Sequence, residues 1–219
     1  MVNTLALYGH PFSSYTWKAL IPLYANATPF EFREVGPDHP ASGAFVSEAH
    51  PAGKFPVLSD GDTVVIEATA IVEYLAVHHP GAAPLIPADP GAAVIARMID
   101  RVFDNYVMAN VQRVVSAYIA NGANPDPVEI EGGKQELLRA YRWLERWLER
   151  NAPPPHVSLV TCAAAPSLFY ADWVERIPAD CPRLAGLRAE LLALAAVARC
   201  VDDARPFRHY FPLGAPDRD

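Results

Sequence analysis

Hydrophobic and polar positions change their period in the middle of the stretch 54–75, and this change predicts a series of elements. A short apolar run precedes Asp60-Gly61, and the β-branched run 63–66 follows it. An Asp-Gly pair between two such runs is the strongest short signal for a β-hairpin. Apolar residues then recur at helical spacing over 70–75. The pattern therefore predicts strand, tight turn, strand and helix, with the helix beginning close to Glu67.

The residues at the start of the chain predict a strand, a helix and a second strand. Residues 5–8 are apolar, Ser13 and Ser14 stand where a helix N-cap is expected, and 30–35 alternates apolar and charged residues. Pro22 lies inside the helical pattern, where a proline removes a backbone hydrogen bond. We therefore expect a kink or an early end of this helix.

An irregular segment separates the second strand from the hairpin. Residues 36–53 are rich in Pro, His, Ala and Ser, and only 44–49 have a helical pattern. The order strand, helix, strand, loop, hairpin, helix is typical of a thioredoxin-like α/β sandwich, in which a parallel crossover joins the first two strands. We expect this domain to occupy residues 1–79, followed by a stiff, proline-rich linker over 80–90.

The remainder of the chain is helical in pattern. Long amphipathic helices are predicted over 92–120 and 134–150, and the uniformly apolar segment 158–170 predicts a buried central helix that begins with a serine cap. We expect residues 91–219 to form an all-helical domain, with an extended tail over 205–219.

Composition and charge restrict the class of protein. The chain has 219 residues, of which 51% are hydrophobic and 20% charged, as in an ordinary globular protein. Its net charge of -7 argues against nucleic acid or an anionic membrane surface as the main partner. The first residues lack the basic region of a signal peptide, and the longest uncharged run is too short to span a bilayer. We predict a cytoplasmic location.

The three cysteines indicate free thiols rather than a metal or redox site. Cys162, Cys181 and Cys200 are widely spaced, with neither the close pairing of a zinc site nor a C-x-x-C motif. An odd number of such cysteines is most simply explained by unpaired thiols in a reducing compartment. We therefore predict no bound metal and no dithiol chemistry.

Two features of the stretch 54–75 suggest a binding site. Pro56 stands where a strand should begin, so it either starts an edge strand or forms a cis turn that leaves neighbouring backbone groups free. The helix that begins near Glu67 has unpaired N–H groups and the positive end of its dipole at that end. Both features are suited to a small anionic ligand.

Several motifs resemble those of the glutathione transferase superfamily. Phe55-Pro56 followed by Glu67-Ala68-Thr69-Ala70-Ile71 is similar to the cis-proline and the Glu/Gln-Ser-x-Ala-Ile segment of that family. The string 7–17, LYGHPFSSYTW, looks like the start of serine-type, zeta-like members. Segment 158–170 resembles the helix-6 motif of the family, with Thr161 in place of its capping-box aspartate, which implies a weaker cap. The resemblance covers nearly the whole chain.

The resemblance implies a thioredoxin-like domain that binds glutathione as co-substrate, followed by an all-helical domain. It assigns the catalytic position to Ser13, and glutathione binding to Ser14, Lys54, Phe55, Pro56, Glu67 and Ala68. Since Ala68 stands where the family usually has serine, one hydroxyl contact to the γ-glutamyl carboxylate is absent. In such proteins the small domain of one subunit packs against the helical domain of another, so we expect a homodimer.

A hydroxyl at a helix N-terminus has a physical reason to activate a thiol. It donates a hydrogen bond to the thiolate, and the helix dipole adds positive potential, so both favour the anion over the thiol. Tyr8 and Tyr15 are the alternatives to Ser13 as this donor. His10, Tyr106 and Asn110 are candidates for a pocket that accepts the second substrate.

The resemblance therefore implies a glutathione transferase that adds the thiolate to a small apolar electrophile. One alternative is glutathione-dependent cis-trans isomerisation, which the resemblance to zeta-like members suggests. A second alternative is a binding module that has kept the fold without catalysis. The departures from the family pattern at Ala68 and Thr161 support this second alternative.

Overall fold

The computed structural model describes residues 5–82 and 84–219. Its first half is a thioredoxin-like α/β unit, as the sequence predicted. Over the described residues, four strands form one sheet in the order β2-β1-β3-β4. The elements are β1 Ala6–Gly9, α1 Ser14–Ala25, β2 Glu31–Glu34, α2 Pro40–Ala49, β3 Val57–Asp60, β4 Thr63–Ile66 and α3 Ala68–His78.

The register of the sheet follows from the predicted crossover and hairpin. In β1, Leu7 lies opposite Phe32 of the parallel strand β2 and opposite Leu58 of the antiparallel strand β3. The β3–β4 hairpin turns at Gly61, whose φ of 59° is a conformation that glycine adopts without steric cost. Leu7 and Leu58 have no solvent exposure, so the central strands form the floor of the core.

The second half is helical, which confirms the predicted fold class. Its elements are α4 Pro90–Val102, a π-helical segment Phe103–Met108, α5 Ala109–Ala120, α6 Pro127–Leu148, α7 Leu159–Val174, α8 Pro182–Leu192, α9 Ala195–Ala204 and a 3₁₀ segment Arg205–Tyr210. Helix α7 is buried along nearly its whole length and packs against α1 of the first half, where the rings of Trp17 and Phe169 lie 4.9 Å apart. None of the helices in the described part of the chain is long and apolar enough to cross a membrane.

The segment that joins the halves is fixed to the start of α7. The carbonyl of Leu85, a buried residue, accepts a hydrogen bond from the N–H of Leu159 at 2.8 Å. Beside it, the Thr161 hydroxyl oxygen accepts from the Ser158 N–H at 3.2 Å and donates to the His156 carbonyl at 3.3 Å. A threonine thus takes the position of the capping-box carboxylate, with a neutral acceptor in place of a charged one.

Two helices begin at prolines, several residues before the starts that the sequence pattern predicted. Helix α2 begins at Pro40 rather than at residue 44, and α6 begins at Pro127 rather than at residue 134. A proline at the first helical position loses no hydrogen bond and has a φ suited to the helix, so it begins an element instead of breaking one. Helix α1 also continues past Pro22 to Ala25, so the expectation of an end at that proline is wrong.

The C-terminal residues are not an extended tail, contrary to the sequence prediction. They begin with the 3₁₀ segment and then fold back over the end of α7. Phe211 packs edge-on against Trp173 with ring centroids 5.2 Å apart, and Arg218 donates to the carbonyl of Asp172 at 2.8 Å. Burial of an aromatic ring and paired polar groups hold this segment in place.

Close packing of α5 against α6 depends on a glycine. A Cβ on Gly133 would lie 2.6 Å from Cγ2 of Val114 and 3.2 Å from the carbonyl oxygen of Asn110. We predict that Gly133→Ala lowers the free energy of unfolding by about 1–3 kcal/mol, because the clash outweighs the gain in helix propensity. Urea denaturation measures this change.

Gly186→Ala is the matched control, since Gly186 also lies inside a helix but has open space around its Cα. This variant should gain stability by up to about 1 kcal/mol. Equal effects of the two substitutions would show that packing at Gly133 is unimportant.

Candidate functional site

A cleft of about 230 Å³ lies where the thioredoxin-like half meets α4 and the π-helical segment. Five residues that the sequence assigned to ligand binding line it, namely Lys54, Phe55, Pro56, Glu67 and Ala68. Five further residues complete its walls, namely Tyr15, His50, Arg101, Asp104 and Asn105. The structure therefore brings five of the six residues that the resemblance assigned to glutathione binding together in one place.

The floor of the cleft includes a backbone segment with free polar groups. The Phe55–Pro56 peptide bond is cis, which is one of the two arrangements that the sequence allowed. Among the residues described, no backbone partner is bonded to the N–H or the carbonyl of Phe55, which lies outside the sheet. These groups could pair with the backbone of a peptide-like ligand, as an exposed strand edge does.

Helix α3 begins at the cleft in a strained conformation. Its N-cap is Glu67, a non-glycine residue with φ 69° and ψ 116°, and the carboxylate of Glu67 does not cap the helix. A conformation of this kind costs on the order of 1–3 kcal/mol and is typical of functional sites. The Glu67 side chain is 72% exposed, and its Oε1 lies 3.6 Å from Nε2 of the buried His50.

The first turn of α3 has no side-chain hydroxyl at its first position, and the hydroxyl at its second position is bonded to the helical half. Ala68 is buried and provides no polar atom at the first position of α3. The next residue, Thr69, donates its hydroxyl to Oδ2 of Asp100 at 3.0 Å, towards the helical half. The first-turn N–H groups of α3 therefore have no side-chain cap.

Ser13 is the N-cap of α1 and does not line the cleft. Its Oγ accepts a hydrogen bond from the Thr16 N–H at 3.3 Å, and its own N–H donates to the carbonyl of His10 at 3.0 Å. The accepted bond leaves the hydroxyl proton of Ser13 available to a ligand. Ser14 is buried, donates to the sulfur of Met108 at 3.4 Å, and also lies outside the cleft.

The two tyrosines proposed as alternative donors are placed differently. Tyr15 lines the cleft, and burial, with help from the charge of Asp104, raises its pKa to about 12. This phenol stays protonated at neutral pH, so it can donate a hydrogen bond but does not act as a base. Tyr8 is buried and stacks on Phe45 with ring centroids 4.2 Å apart, and its hydroxyl is hydrogen-bonded to Arg33.

The three residues predicted for an acceptor pocket do not meet. His10 contacts the C-terminal segment, with its ring 4.7 Å from that of Phe207, and burial lowers its pKa although Glu34 acts against this. Tyr106 and Asn110 instead line a groove of about 360 Å³ between α6 and the continuous stretch from the end of α4 to the start of α5. His10 and this groove thus belong to different surfaces.

A cluster of charged residues that sequence reasoning missed lies partly in the wall of the cleft and partly behind it. Nζ of Lys18 in α1 is 2.5 Å from Asp100 and 2.8 Å from Asp104, and the side chains of Lys18 and Asp100 are 1% and 0% exposed. Arg101 donates to the same two carboxylates, at 2.5 Å to Asp100 and 2.7 Å to Asp104. A lysine inside an apolar run and two aspartates one helical turn apart were the only local signals of this cluster.

The π-helical segment positions the outer part of the cluster. It places Asp104 and Asn105 on the wall of the cleft, in the middle of what would otherwise be one continuous helix. Such segments are rare and occur frequently at functional sites. Burial raises the pKa of Asp104, while the ammonium of Lys18 acts in the opposite direction. The charged form of Asp104 therefore depends on Lys18.

The described residues contain no cluster typical of a metal site and no disulfide. Within them, no group of three or more His, Cys, Asp or Glu side chains could hold a metal ion. The three cysteines are buried, unpaired thiols, and burial raises the pKa of Cys162 above its usual value.

Comparison with known proteins identifies the fold of the chain. Residues 7–83 match the family model described as glutathione S-transferase, N-terminal domain, and this range contains nearly all of the thioredoxin-like half. A glutathione S-transferase from Methylobacterium radiotolerans, solved in complex with glutathione sulfonate, is 25% identical with a TM-score of 0.74. That match covers 90% of this chain and 94% of the other. The chain has the glutathione transferase fold, and the resemblance seen in the sequence is confirmed.

Two relatives have names that specify a reaction. A probable maleylacetoacetate isomerase of Vibrio cholerae is 26% identical over 213 residues, covering 93% of this chain and 98% of that protein. A probable maleylacetoacetate isomerase of Caenorhabditis elegans is 33% identical over 93 residues, covering 42% of this chain and 43% of that protein. The similarity to the nematode protein thus spans less than half of either chain.

The buried cluster leads to a prediction on stability and its pH dependence. Lys18→Met should lower the free energy of unfolding by about 3–5 kcal/mol at pH 8, because Arg101 alone then faces two buried carboxylates and one negative charge is left uncompensated. Removing Lys18 raises the folded-state pKa of Asp104 further above its unfolded value, so the contribution of Asp104 to stability is lost as pH rises through that pKa. The destabilisation should therefore be smaller at pH 5, which urea denaturation at both pH values measures.

Lys134→Met is the control, since Lys134 forms a partly exposed pair with Glu175 at 3.4 Å. Its loss should cost less than about 1 kcal/mol at either pH. A Lys18→Met effect that is small, or that does not change with pH, would contradict the argument.

Proposed function

We propose that this protein is a glutathione transferase, which binds glutathione as co-substrate and adds it to a small apolar electrophile. The observation that carries the proposal is the cleft itself. It lies in the part of the chain that matches the transferase family model, and five of the residues assigned to glutathione binding line it. The solved relative in complex with glutathione sulfonate supports the same ligand.

The residues of the cleft fit a γ-glutamyl tripeptide. The free backbone groups of Phe55 can pair with the cysteinyl residue, and the N–H groups at the start of α3 suit a carboxylate. The exposed carboxylate of Glu67 can accept from an α-amino group, and the exposed Lys54 suits the second carboxylate. Tyr15, in the first turn of α1, lines the cleft, so the thiol of such a ligand would lie near the N-terminus of this helix.

Ser13 is the group that we propose to hold the sulfur as thiolate. Its hydroxyl proton is available for donation, and the N-terminus of α1 adds positive potential at the same place. An ordinary thiol with a pKa near 8.5 is mostly protonated at neutral pH, so a depression of one to two units increases the nucleophile several-fold or more. The thiolate then forms the new C–S bond, and the electron pair passes to the leaving group or to the adjacent unsaturated system.

Isomerisation is the second candidate, and the names of the two relatives favour it. The same activated sulfur would add to a cis double bond, allow rotation about the resulting single bond, and leave again without net transfer. Assays with an activated aryl halide and with maleylacetoacetate distinguish the two reactions. Activity on neither substrate, together with glutathione binding, would indicate a binding module.

We also propose that the protein acts in the cytoplasm as a homodimer, and the unpaired thiols support this location. Helix α4 exposes Val94, Ile95 and Met98 at 62%, 44% and 39%, and a second subunit packed on this helix would cover these apolar side chains. We predict a particle of about twice 23.9 kDa. Sedimentation at micromolar concentration measures it, and Ile95→Glu should shift the mass towards the monomer. A monomeric wild type would contradict the proposal.

A second prediction concerns the sulfur contact. Ser13→Ala should lower turnover by about tenfold or more with only a modest change in glutathione affinity, because the hydroxyl matters most to the anion. The substitution also removes the N-cap of α1, so Ser13→Thr, which keeps both hydroxyl and cap, should retain more activity. Turnover that is unchanged in Ser13→Ala but lost in Tyr15→Phe would transfer the role to Tyr15.

A further inference from the structure

We propose that Arg101, from the helical half, binds the α-carboxylate at the γ-glutamyl end of glutathione. The proposal rests on the function proposed above and names a recognition residue for the same cleft. Its starting point is the beginning of α3, where Ala68 provides no hydroxyl and that of Thr69 is bonded to Asp100. A carboxylate bound there would otherwise meet only backbone N–H groups.

Arg101 reaches this place from α4. Its Nη2 donates to the hydroxyl oxygen of Thr69, the second residue of α3, and the guanidinium lines the cleft together with Glu67 and Ala68. The side chain is nevertheless 47% exposed. Among the residues described, no acceptor is bonded to its Nη1, so two N–H donors are available to a ligand.

The buried carboxylates hold the guanidinium in position. Nε of Arg101 donates to Asp100 at 2.9 Å, and Nη2 donates to Asp100 at 2.5 Å and to Asp104 at 2.7 Å. Burial acts against the charged form of Arg101, but the bond to Asp100 and the two carboxylate charges outweigh it and raise its pKa. Lys18 compensates the second negative charge, so the cluster of two cations and two anions is neutral in sum.

Charge complementarity indicates which part of the ligand Arg101 binds. Glutathione has two carboxylates and one ammonium group, and the ammonium shares its carbon with the γ-glutamyl carboxylate. The unpaired or partly paired charges on the cleft are those of Lys54, Arg101 and Glu67. Since Glu67 and Arg101 lie close enough to influence each other electrostatically, they suit the neighbouring ammonium and carboxylate, whereas Lys54 suits the glycine carboxylate.

Calorimetry with three ligands tests this assignment. The ligands are glutathione, 4-aminobutyryl-cysteinylglycine, which lacks the α-carboxylate, and glutaryl-cysteinylglycine, which lacks the amine. Arg101→Gln should weaken binding of glutathione and of the glutaryl peptide by roughly ten- to a hundredfold. Binding of the 4-aminobutyryl peptide should change by less than about threefold, because its contact is already absent.

Arg97→Gln is the matched control. Arg97 lies one turn earlier on α4, is 45% exposed, and is paired with Glu73 at 2.7 Å outside the cleft. The substitution Arg97→Gln removes the same charge from the same helix as Arg101→Gln. It should leave the affinities for all three ligands unchanged. Arg101→Lys keeps the charge without the planar fork, so it should bind glutathione with intermediate affinity even if Arg101→Gln folds poorly.

The outcomes separate this inference from the proposed function. If wild-type protein binds no glutathione, both are overturned. If it binds glutathione but Arg101→Gln binds it equally well, only the role of Arg101 is wrong. An equal loss for all three ligands in Arg101→Gln would also overturn the assignment, because it would show a general effect on the cleft.

Discussion

A buried group of charges at the junction of the two halves is the constraint on which the rest of the structure depends. Lys18 comes from the thioredoxin-like half, Asp100 from α4 and Asp104 from the π-helical segment, and none of the three is more than 13% exposed. Moving one such ion out of water costs several kcal/mol unless a partner compensates it. Neither half can therefore bury its share of the charges without the other. The relative placement of the halves, and with it the geometry of the cleft, is fixed by this requirement.

The same charges form both the junction and the wall of the candidate site. Asp104 pairs with Lys18 on its inner side and faces the cleft on its outer side, while Arg101 covers the two carboxylates and remains half exposed. The π-helical segment allows Asp104 to contact both Lys18 and the cleft, because it changes the direction of side chains within a continuous helix. The ligand recognition that we propose for Arg101 and the assembly of the two halves thus draw on one set of interactions.

Local signals in the sequence were enough for much of the fold and for the backbone of the site. The Asp-Gly hairpin and the motif from Glu67 onwards depend on neighbours in the chain, and the structure forms the hairpin and begins α3 at the expected place. The starts of α2 and α6 were wrong because a proline can either begin or break a helix, and the periodic pattern does not distinguish the two. The pairing of Lys18 with Asp100, and the separation of His10 from Tyr106, are tertiary facts with no local signature.

A ligand bound in this cleft would stabilise the contact between the two halves as well as take part in the reaction. The walls come from α3 on one side and from α4 with the π-helical segment on the other, so a molecule bound to both adds contacts across the interface. A ligand that binds only the folded state at a concentration a hundred times its Kd stabilises that state by about 2.7 kcal/mol. That is comparable to the cost of the strained backbone at Glu67, which is on the order of 1–3 kcal/mol. The strain at the helix start is therefore of a size that binding across the two halves can offset.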